Sequence, residues 1–229
     1  VSDRTPAFLP KASLQRLIDA LAGRGYRVMA PVVSDGAAQW GPVTRVSELA
    51  AGMVDSQEPG RYRVEPTTSS DIFSLVHGPQ ALKPFTFAPR EPLLSIERRG
   101  RDQAVHVTEP RGERLAFLGV RACDLAGVRI QDHIFLQGPY GDPYYRARRD
   151  GLFMVVVNCT RALPVCFCAS MGTGPRAHEG YDLALTELDD GFVVEAGSDA
   201  GHAVARDLAL PAAPDAMMHE GDRKIAACA

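Results

Sequence analysis

The fold is decided by the stretch Leu115-Ala-Phe-Leu-Gly-Val-Arg-Ala-Cys-Asp124 and its later counterpart Leu152-Phe-Met-Val-Val-Val-Asn-Cys-Thr160. Each opens with a short, continuous run of apolar residues, bounded by charged residues and glycine. Such runs are typical of strands that are buried on both faces of a sheet. The sequence therefore predicts two central strands, Leu115–Val120 and Leu152–Val157.

The segment between these strands predicts a helix from about Asp124 to Leu136, because its apolar residues recur at helical spacing. Asp124 is the expected N-cap. A loop with glycine and proline, Gly138–Pro143, then leads to the second strand. A strand, a helix and a second strand form a crossover unit whose strands run parallel. We therefore expect an α/β fold of mixed α+β character, with a central, partly parallel sheet and flanking hairpins.

Four of the five cysteines follow these strands: Cys123, Cys159, Cys166 and Cys168. Parallel strands end at the same edge of a sheet, where open sheets place their sites, so Cys123 and Cys159 are expected to approach each other. Residues two apart in an extended backbone point to the same side, so Cys166 and Cys168 can face one centre. The nearby helix N-terminus is expected to favour the Cys123 thiolate. The pattern predicts that all four thiols converge on a metal or iron-sulphur centre at the carboxyl edge of the strands.

The residue types leave several interpretations of these cysteines open. Four thiolates suit zinc or an iron-sulphur cluster equally well, and the spacing is neither that of zinc knuckles nor that of bacterial ferredoxins. A four-cysteine zinc site would make the chain a structural or interaction module. Cysteine is also a small residue that is often simply buried. A nucleophilic role for Cys159 lacks an obvious paired base.

Several blocks of the sequence resemble the amino-terminal domain of an electron-transfer family, the iron-sulphur (4Fe-4S dicluster type) beta subunits of cytoplasmic sulphhydrogenases and the A subunit of anaerobic sulphite reductase. The blocks are Gly119-Val-Arg-Ala-Cys-Asp-Leu-Ala126, Asp142-Pro-Tyr-Tyr-Arg146, Asn158-Cys-Thr160, Cys166-Phe-Cys-Ala-Ser-Met-Gly-Thr-Gly-Pro175 and Tyr181-Asp-Leu-Ala-Leu-Thr-Glu187. The block that begins at Cys166 is the most specific, and Leu9-Pro-Lys11 and Gln57–Arg63 extend the resemblance over the whole chain.

The resemblance implies that Cys123, Cys159, Cys166 and Cys168 ligate one [4Fe-4S] cluster. It implies a relay of single electrons between a flavin-containing, NAD(P)-linked subunit and a hydrogenase or sulphite-reductase-type subunit. A cluster with four cysteine ligands has no open coordination site, so we expect a non-catalytic component of an oxidoreductase complex. Whether a [2Fe-2S] form can use the same thiolates stays open. Cys228 matches no cluster position and is expected to be unliganded.

In the family this domain precedes a ferredoxin-like part with two further clusters, which has no counterpart in the present sequence. The sequence is therefore either part of a longer chain or that of a natural relative without this part. We divide its 229 residues into an amino-terminal α+β scaffold portion, 1–110, and a cysteine-bearing portion, 111–229, which together are expected to form one compact domain.

Composition narrows the class of protein. With 25 basic and 28 acidic residues, the chain offers no electrostatic argument for binding nucleic acid. No apolar run approaches the roughly 20 residues of a membrane span, and no signal-peptide pattern is present. An odd number of cysteines, tightly grouped, fits a reducing compartment, so we expect a cytoplasmic protein.

The remaining elements are expected to be packing scaffold. We expect an extended tail at Val1–Pro10, a helix at Lys11–Ala22, a strand at Tyr26–Val33 broken by Pro31, a returning strand near Trp40–Val46, a turn at Asp55–Arg63 that leads into a strand, an extended connection at Phe85–Phe87, hairpins at Leu93–Thr108 and Tyr181–Glu195, and helices at Gly201–Leu208 and in part of Pro211–Ala229.

A few polar groups are candidates for contact with the centre. Gly172-Thr-Gly174 allows close backbone approach, so its amides are expected to donate to cluster sulphurs or, as the alternative, to bind a phosphate. Arg121 and Asp124 flank Cys123 and either pair with each other or tune the centre. His77 and Lys83 are candidates to border it, whereas His133 is expected to be an ordinary helical residue.

Overall fold

A seven-stranded mixed sheet organises the chain in a computed structural model that describes residues 5–76 and 78–229; His77 lies outside the described residues. The strands, in chain order, are β1 (Ala7–Pro10), β2 (Arg27–Ser34), β3 (Ala37–Pro42), β4 (Met53–Glu58), β5 (Arg61–Pro66), β6 (Leu94–Arg99), β7 (Asp102–Val107), β8 (Leu115–Val120), β9 (Leu152–Val157), β10 (Leu183–Glu187) and β11 (Gly191–Ala196). The α-helices are α1 (Leu14–Gly23), α2 (Lys83–Thr86), α3 (Ala122–Leu136), α4 (Pro143–Asp150), α5 (Asp199–Leu208) and α6 (Asp215–Ala226).

The order of strands across the sheet is β1-β11-β10-β9-β8-β2-β3. The four central strands β10, β9, β8 and β2 run parallel, while β11, β1 and β3 pair antiparallel at the two sides. The predicted fold class and the predicted bounds of the two central strands are confirmed. Portions 1–110 and 111–229 both contribute strands to this sheet.

Both faces of the central strands are buried, as their continuous apolar runs predict. Phe117 and Met154 point to one face and pack with Leu125 of α3. Leu118 and Phe153 point to the other face and belong to the core that includes α1 and α5. Helices thus cover both faces of the sheet, and the carboxyl ends of β8 and β9 lie next to each other.

Strand β2 is continuous through Pro31, so the predicted break there is wrong. Pairing of β2 with β8 ends at Met29 opposite Phe117, and Pro31 faces only β3 through its partner Trp40. The missing amide hydrogen therefore interrupts no ladder with β8. The register between β8 and β9 shifts around Gly119, whose φ is +107°. Gly119 lies beside Pro31, and a Cβ on Gly119 would be only 3.0 Å from the proline ring.

Several other predictions need correction. The described part of the predicted tail contains β1, which pairs with β11. The turn at Asp55–Arg63 is a full hairpin, because β4 pairs along the whole length of β5. Phe85 lies in the short helix α2 rather than in an extended connection. Helix α4 was not predicted, although Asp142 caps it by accepting from two backbone amides.

All twelve strand residues of hairpin β6–β7 are exposed. Its pairs Leu94 with Val107 and Ile96 with Val105 put four apolar side chains on one face. A two-stranded hairpin is only marginally stable without further packing. In the described part of the chain, no helix is long and apolar enough to cross a membrane.

Candidate metal centre

The crossover unit positions the first two cysteines. Strand β8 ends at Val120, and Cys123 lies in the first turn of α3, whereas Cys159 follows the end of β9 by two residues. Because β8 and β9 are parallel neighbours, both cysteines lie at one edge of the sheet. Their thiols are close enough for the charge of Cys159 to raise the pKa of Cys123.

The start of α3 differs from its prediction. Asp124 is not the N-cap: Arg121 occupies that place, and Asp124 lies three residues later. The Asp124 carboxylate accepts from the backbone amide of Arg121 at 2.9 Å, while the Asp124 amide donates to the Arg121 carbonyl at 3.0 Å. This reciprocal pair of bonds fixes the first turn, which carries Cys123.

Buried polar contacts hold the segment that follows β9. Asn158 is buried, donates to Thr186 Oγ1 at 3.0 Å and accepts from the Ala177 amide at 2.9 Å. Arg161 forms an ion pair of 3.1 Å with the buried Asp55. Cys159 lies between these anchors, so its position is tied to strand β10 and to hairpin β4–β5.

Cys168 approaches the start of α3. The Cys168 Sγ lies 3.0 Å from where a Cβ on Gly174 would be, and that same point is 3.4 Å from the Ala122 Cβ. A side chain at position 174 would therefore crowd this sulphur and force it to move by a few tenths of an ångström. The loop thus brings Cys168 next to the helical turn that contains Cys123.

Cys166 lies in a turn in which its amide donates to the Leu163 carbonyl at 2.9 Å, and its sulphur accepts from the Leu163 amide at 3.4 Å. The residue is exposed, as are its neighbours Phe167 and Met171. This side of the candidate centre therefore faces solvent.

The four predicted thiols act on one another electrostatically: Cys159 and Cys168 raise the pKa of Cys123, and Cys166 and Cys168 raise that of Cys159. Among the described residues, however, no three His, Cys, Asp or Glu side chains are grouped closely enough to hold a single metal ion. The thiols thus share one edge of the sheet without forming a ready-made site for a single ion among the described residues.

Burial is the main cause that raises the pKa of Cys123, to about 12, with the Asp124 carboxylate second. Cys123 as a residue is exposed, but protein surrounds its sulphur enough for burial to raise its pKa. The predicted preference for thiolate at Cys123 is therefore wrong for the metal-free protein. Burial also raises the pKa of Cys159, which Arg121 partly opposes. A buried, protonated thiol is a poor nucleophile, which weighs against Cys159 as a catalytic residue.

Cys228 is a fifth thiol at this edge that sequence reasoning placed outside the site. Burial raises its pKa, and the charges of Cys159, Cys166 and Cys168 add to the effect. Its Sγ lies 3.6 Å from the Lys224 carbonyl, just beyond the end of α6. No local sequence motif predicts that Cys228 lies near the other cysteines, because its position depends on how α6 packs against the sheet.

Two amides of Gly172-Thr-Gly174 bond within their own loop. The Gly172 amide donates to the Ala169 carbonyl at 3.1 Å, and the Thr173 amide donates to the Cys168 carbonyl at 2.9 Å. These two bonds close the loop that carries Cys168. His133, as expected, is an ordinary helical residue that contacts Gln137. Lys83 lies over the ring of Phe87.

The donor set and its surroundings fit an iron-sulphur cluster. Four cysteines lie near one edge of the sheet, and a close backbone approach at Gly174 makes room for one of their sulphurs. Cysteine thiolates are the usual ligands of iron-sulphur clusters, so these four residues would hold the cluster if one binds at this edge.

Comparison with known proteins adds an independent finding. Over 146 residues the chain is 38% identical to Sulfhydrogenase 2 subunit beta of Pyrococcus furiosus. This chain is similar to a sulfhydrogenase beta subunit. The match covers 62% of the chain and 40% of the relative, and it confirms the resemblance predicted from the cysteine blocks. No protein-family model matches the chain, and no solved structure matches it significantly.

Proposed function

We propose that this chain is an electron-transfer component in which Cys123, Cys159, Cys166 and Cys168 hold one [4Fe-4S] cluster. The observation that carries the proposal is the convergence of these thiols at the edge formed by the parallel ends of β8 and β9. The similarity to a subunit of a sulfhydrogenase supports it from a separate direction. When bound, such a cluster supplies reversible one-electron transfer.

The residues of the chain have three tasks in this function. The four thiols would bind the cluster, with the protons leaving sulphur as iron binds. Asn158, Arg161 and Gly174 would keep the ligand loops in place. The exposed side near Cys166 would allow a redox partner to approach, since electron transfer between proteins needs the centre close to a surface.

For partners, we propose a flavin-containing, NAD(P)-linked subunit on one side and a hydrogenase or sulphite-reductase-type subunit on the other. The relative from Pyrococcus furiosus is a subunit of a sulfhydrogenase by name, which supports the hydrogenase-type partner. A cytoplasmic location fits the five free cysteines.

The deciding experiment is the iron, acid-labile sulphide and zinc content of anaerobically purified protein, with visible spectra before and after dithionite. Equal amounts of iron and sulphide, about four of each per chain, and bleaching on reduction are expected. One zinc per chain without iron would contradict the proposal and favour the structural zinc module. About two irons and two sulphides would instead indicate a [2Fe-2S] centre.

A further inference from the structure

Three charged residues are buried in the described part of the chain: Asp55, Glu187 and Arg121. Asp55 pairs with Arg161 at 3.1 Å, and Glu187 pairs with Lys11 at 3.2 Å. Arg121 is only 5% exposed, yet its guanidinium forms no ion pair with any carboxylate of the described residues. Of the three buried charged residues, Arg121 is the one that makes no ion pair within the described part of the chain.

Backbone carbonyl groups satisfy the donors of this guanidinium. It donates to the carbonyl oxygens of Val157 at 3.2 Å, Phe73 at 2.6 Å and Leu75 at 2.5 Å. Carbonyl dipoles offset part of the cost of burying the cation, but the net positive charge remains. A buried charge without an opposite charge is destabilising, so this arrangement fits a site that receives a negative group.

The location of Arg121 identifies that group. The residue lies between the end of β8 and Cys123, and it bonds to Val157, the last residue of β9, two residues before Cys159. Arg121 is thus two residues before one proposed ligand and is hydrogen-bonded two residues before another. The guanidinium therefore lies within the electrostatic reach of the proposed ligands on both strands.

We propose that Arg121 is the counter-charge of the cysteine-bound centre and raises its reduction potential, an inference that rests on the proposed function. Four thiolates make a bound cluster negative, and reduction adds one electron, taken from a one-electron donor such as dithionite, without moving a proton or breaking a bond. The reduced form is the more negative one, so a fixed cation stabilises it more than the oxidised form. Arg121 is thus a positioning residue that acts through the centre.

The test compares three variants after anaerobic purification and measurement of iron and sulphide. Arg121→Gln removes the charge, and Arg121→Lys keeps the charge but cannot reproduce three carbonyl bonds of a planar guanidinium. Arg129→Gln is the matched control: it removes the same charge from the same helix, but at an exposed side chain that pairs with Glu179. Each protein is titrated with dithionite, and its midpoint potential is read from visible absorbance.

In Arg121→Gln the ratio of reduced to oxidised centre at a fixed potential is expected to fall about tenfold or more, a downward shift of about 59 mV for one electron. Arg129→Gln and Arg121→Lys are expected to stay within about threefold of the wild-type ratio. If Arg121 has a purely structural role, both Arg121 variants would be less stable than the wild type, but their midpoint potentials would not differ from each other.

An Arg121→Gln protein that keeps its centre at the wild-type potential would overturn the inference and leave the proposed function standing. If Arg121→Gln loses the centre, the Arg121→Lys variant distinguishes the two roles of Arg121. An Arg121→Lys protein that keeps its centre near the wild-type potential supports the role of the positive charge. Loss of the centre in Arg121→Lys as well shows that Arg121 only holds the Phe73–Leu75 segment in place. Wild-type protein without iron and sulphide would overturn the inference together with the proposed function.

Discussion

At the scale of single residues, two of the candidate ligands, Cys159 and Cys168, differ from Cys228 in their surroundings. Cys159 and Cys168 are held by neighbours that belong to other elements: Asn158 bonds to Thr186, and Gly174 makes room for the Cys168 sulphur. Cys228 instead lies just after the end of α6, and its thiol and amide bond to the carbonyls of Lys224 and Ile225 in that same helix. Proximity alone therefore does not make the fifth thiol equivalent to the other four.

Cys166→Ser and Cys168→Ser are each expected to lose most of the bound iron or to convert the centre, because a serine hydroxyl is a poor replacement for a thiolate ligand. Cys228→Ser is the matched control and should retain the iron, the sulphide and the visible spectrum of the wild type. Loss of the chromophore in Cys228→Ser would show that the ligand assignment is wrong.

Gly174→Ala is expected to reduce iron retention by several-fold. The new Cβ would lie 3.0 Å from the Cys168 sulphur, which can move aside in the metal-free protein but not when it is bound to iron. The free energy of unfolding of the metal-free variant should accordingly lie within about 1 kcal/mol of the wild-type value. Iron content and denaturant unfolding measure the two effects separately.

The control for Gly174→Ala is Gly127→Ala in α3, where a Cβ meets no atom within 4 Å. This change removes a helical glycine and should stabilise the protein by about 0.5–1 kcal/mol with full iron content. Equal iron retention in the two variants would argue against a close approach between Gly174 and a ligated Cys168.

At the scale of elements, the hydrophobic pattern predicted the strands that are buried on both faces. It missed the strand whose pairing partner is distant in the sequence. Strands β8 and β9 were found because their apolar runs are unbroken. Strand β1 was missed because its partner, β11, lies more than 180 residues away in the chain. For the site, sequence placed Cys123 and Cys159 together through the crossover rule, but it offered no signal for Cys228 or for the missing counter-charge of Arg121.

Hairpin β6–β7 is expected to exchange its amide hydrogens much faster than the central sheet. All of its residues are exposed and its apolar face has no packing partner in the described part of the chain, so its opening should cost far less than global unfolding. Hydrogen exchange followed by mass spectrometry compares peptides from Leu94–Val107 with peptides from β8 and β9. Equal protection in the isolated chain would contradict the view that this hairpin packs against nothing.

At the scale of the whole molecule, the thiols make the stability of the metal-free protein depend on pH. Burial raises the pKa of Cys123 to about 12 and also raises the pKa of Cys159 and Cys228. In an unfolded chain these thiols ionise near pH 8.5, so the unfolded state loses protons first as the pH rises. The stabilisation is complete below about pH 8 and decreases above it.

Denaturant unfolding of metal-free protein is therefore expected to show decreasing stability between about pH 8 and pH 10. Cys123→Ser removes the thiol with the most strongly raised pKa, so its stability should depend less steeply on pH over that interval. An increase in the stability of the wild-type protein over this pH range would contradict the raised pKa values of the buried thiols.

The pairing of β1 with β11 has a consequence for how the protein is made on the ribosome. Ala7–Pro10 leaves the ribosome long before Gly191–Ala196, the strand that it must join. At roughly 5–20 residues per second, the nascent strand waits on the order of 10–40 s for its partner. The crossover from β8 to β9 can form earlier in translation, so the ligand-bearing edge is available before the sheet is closed at its side.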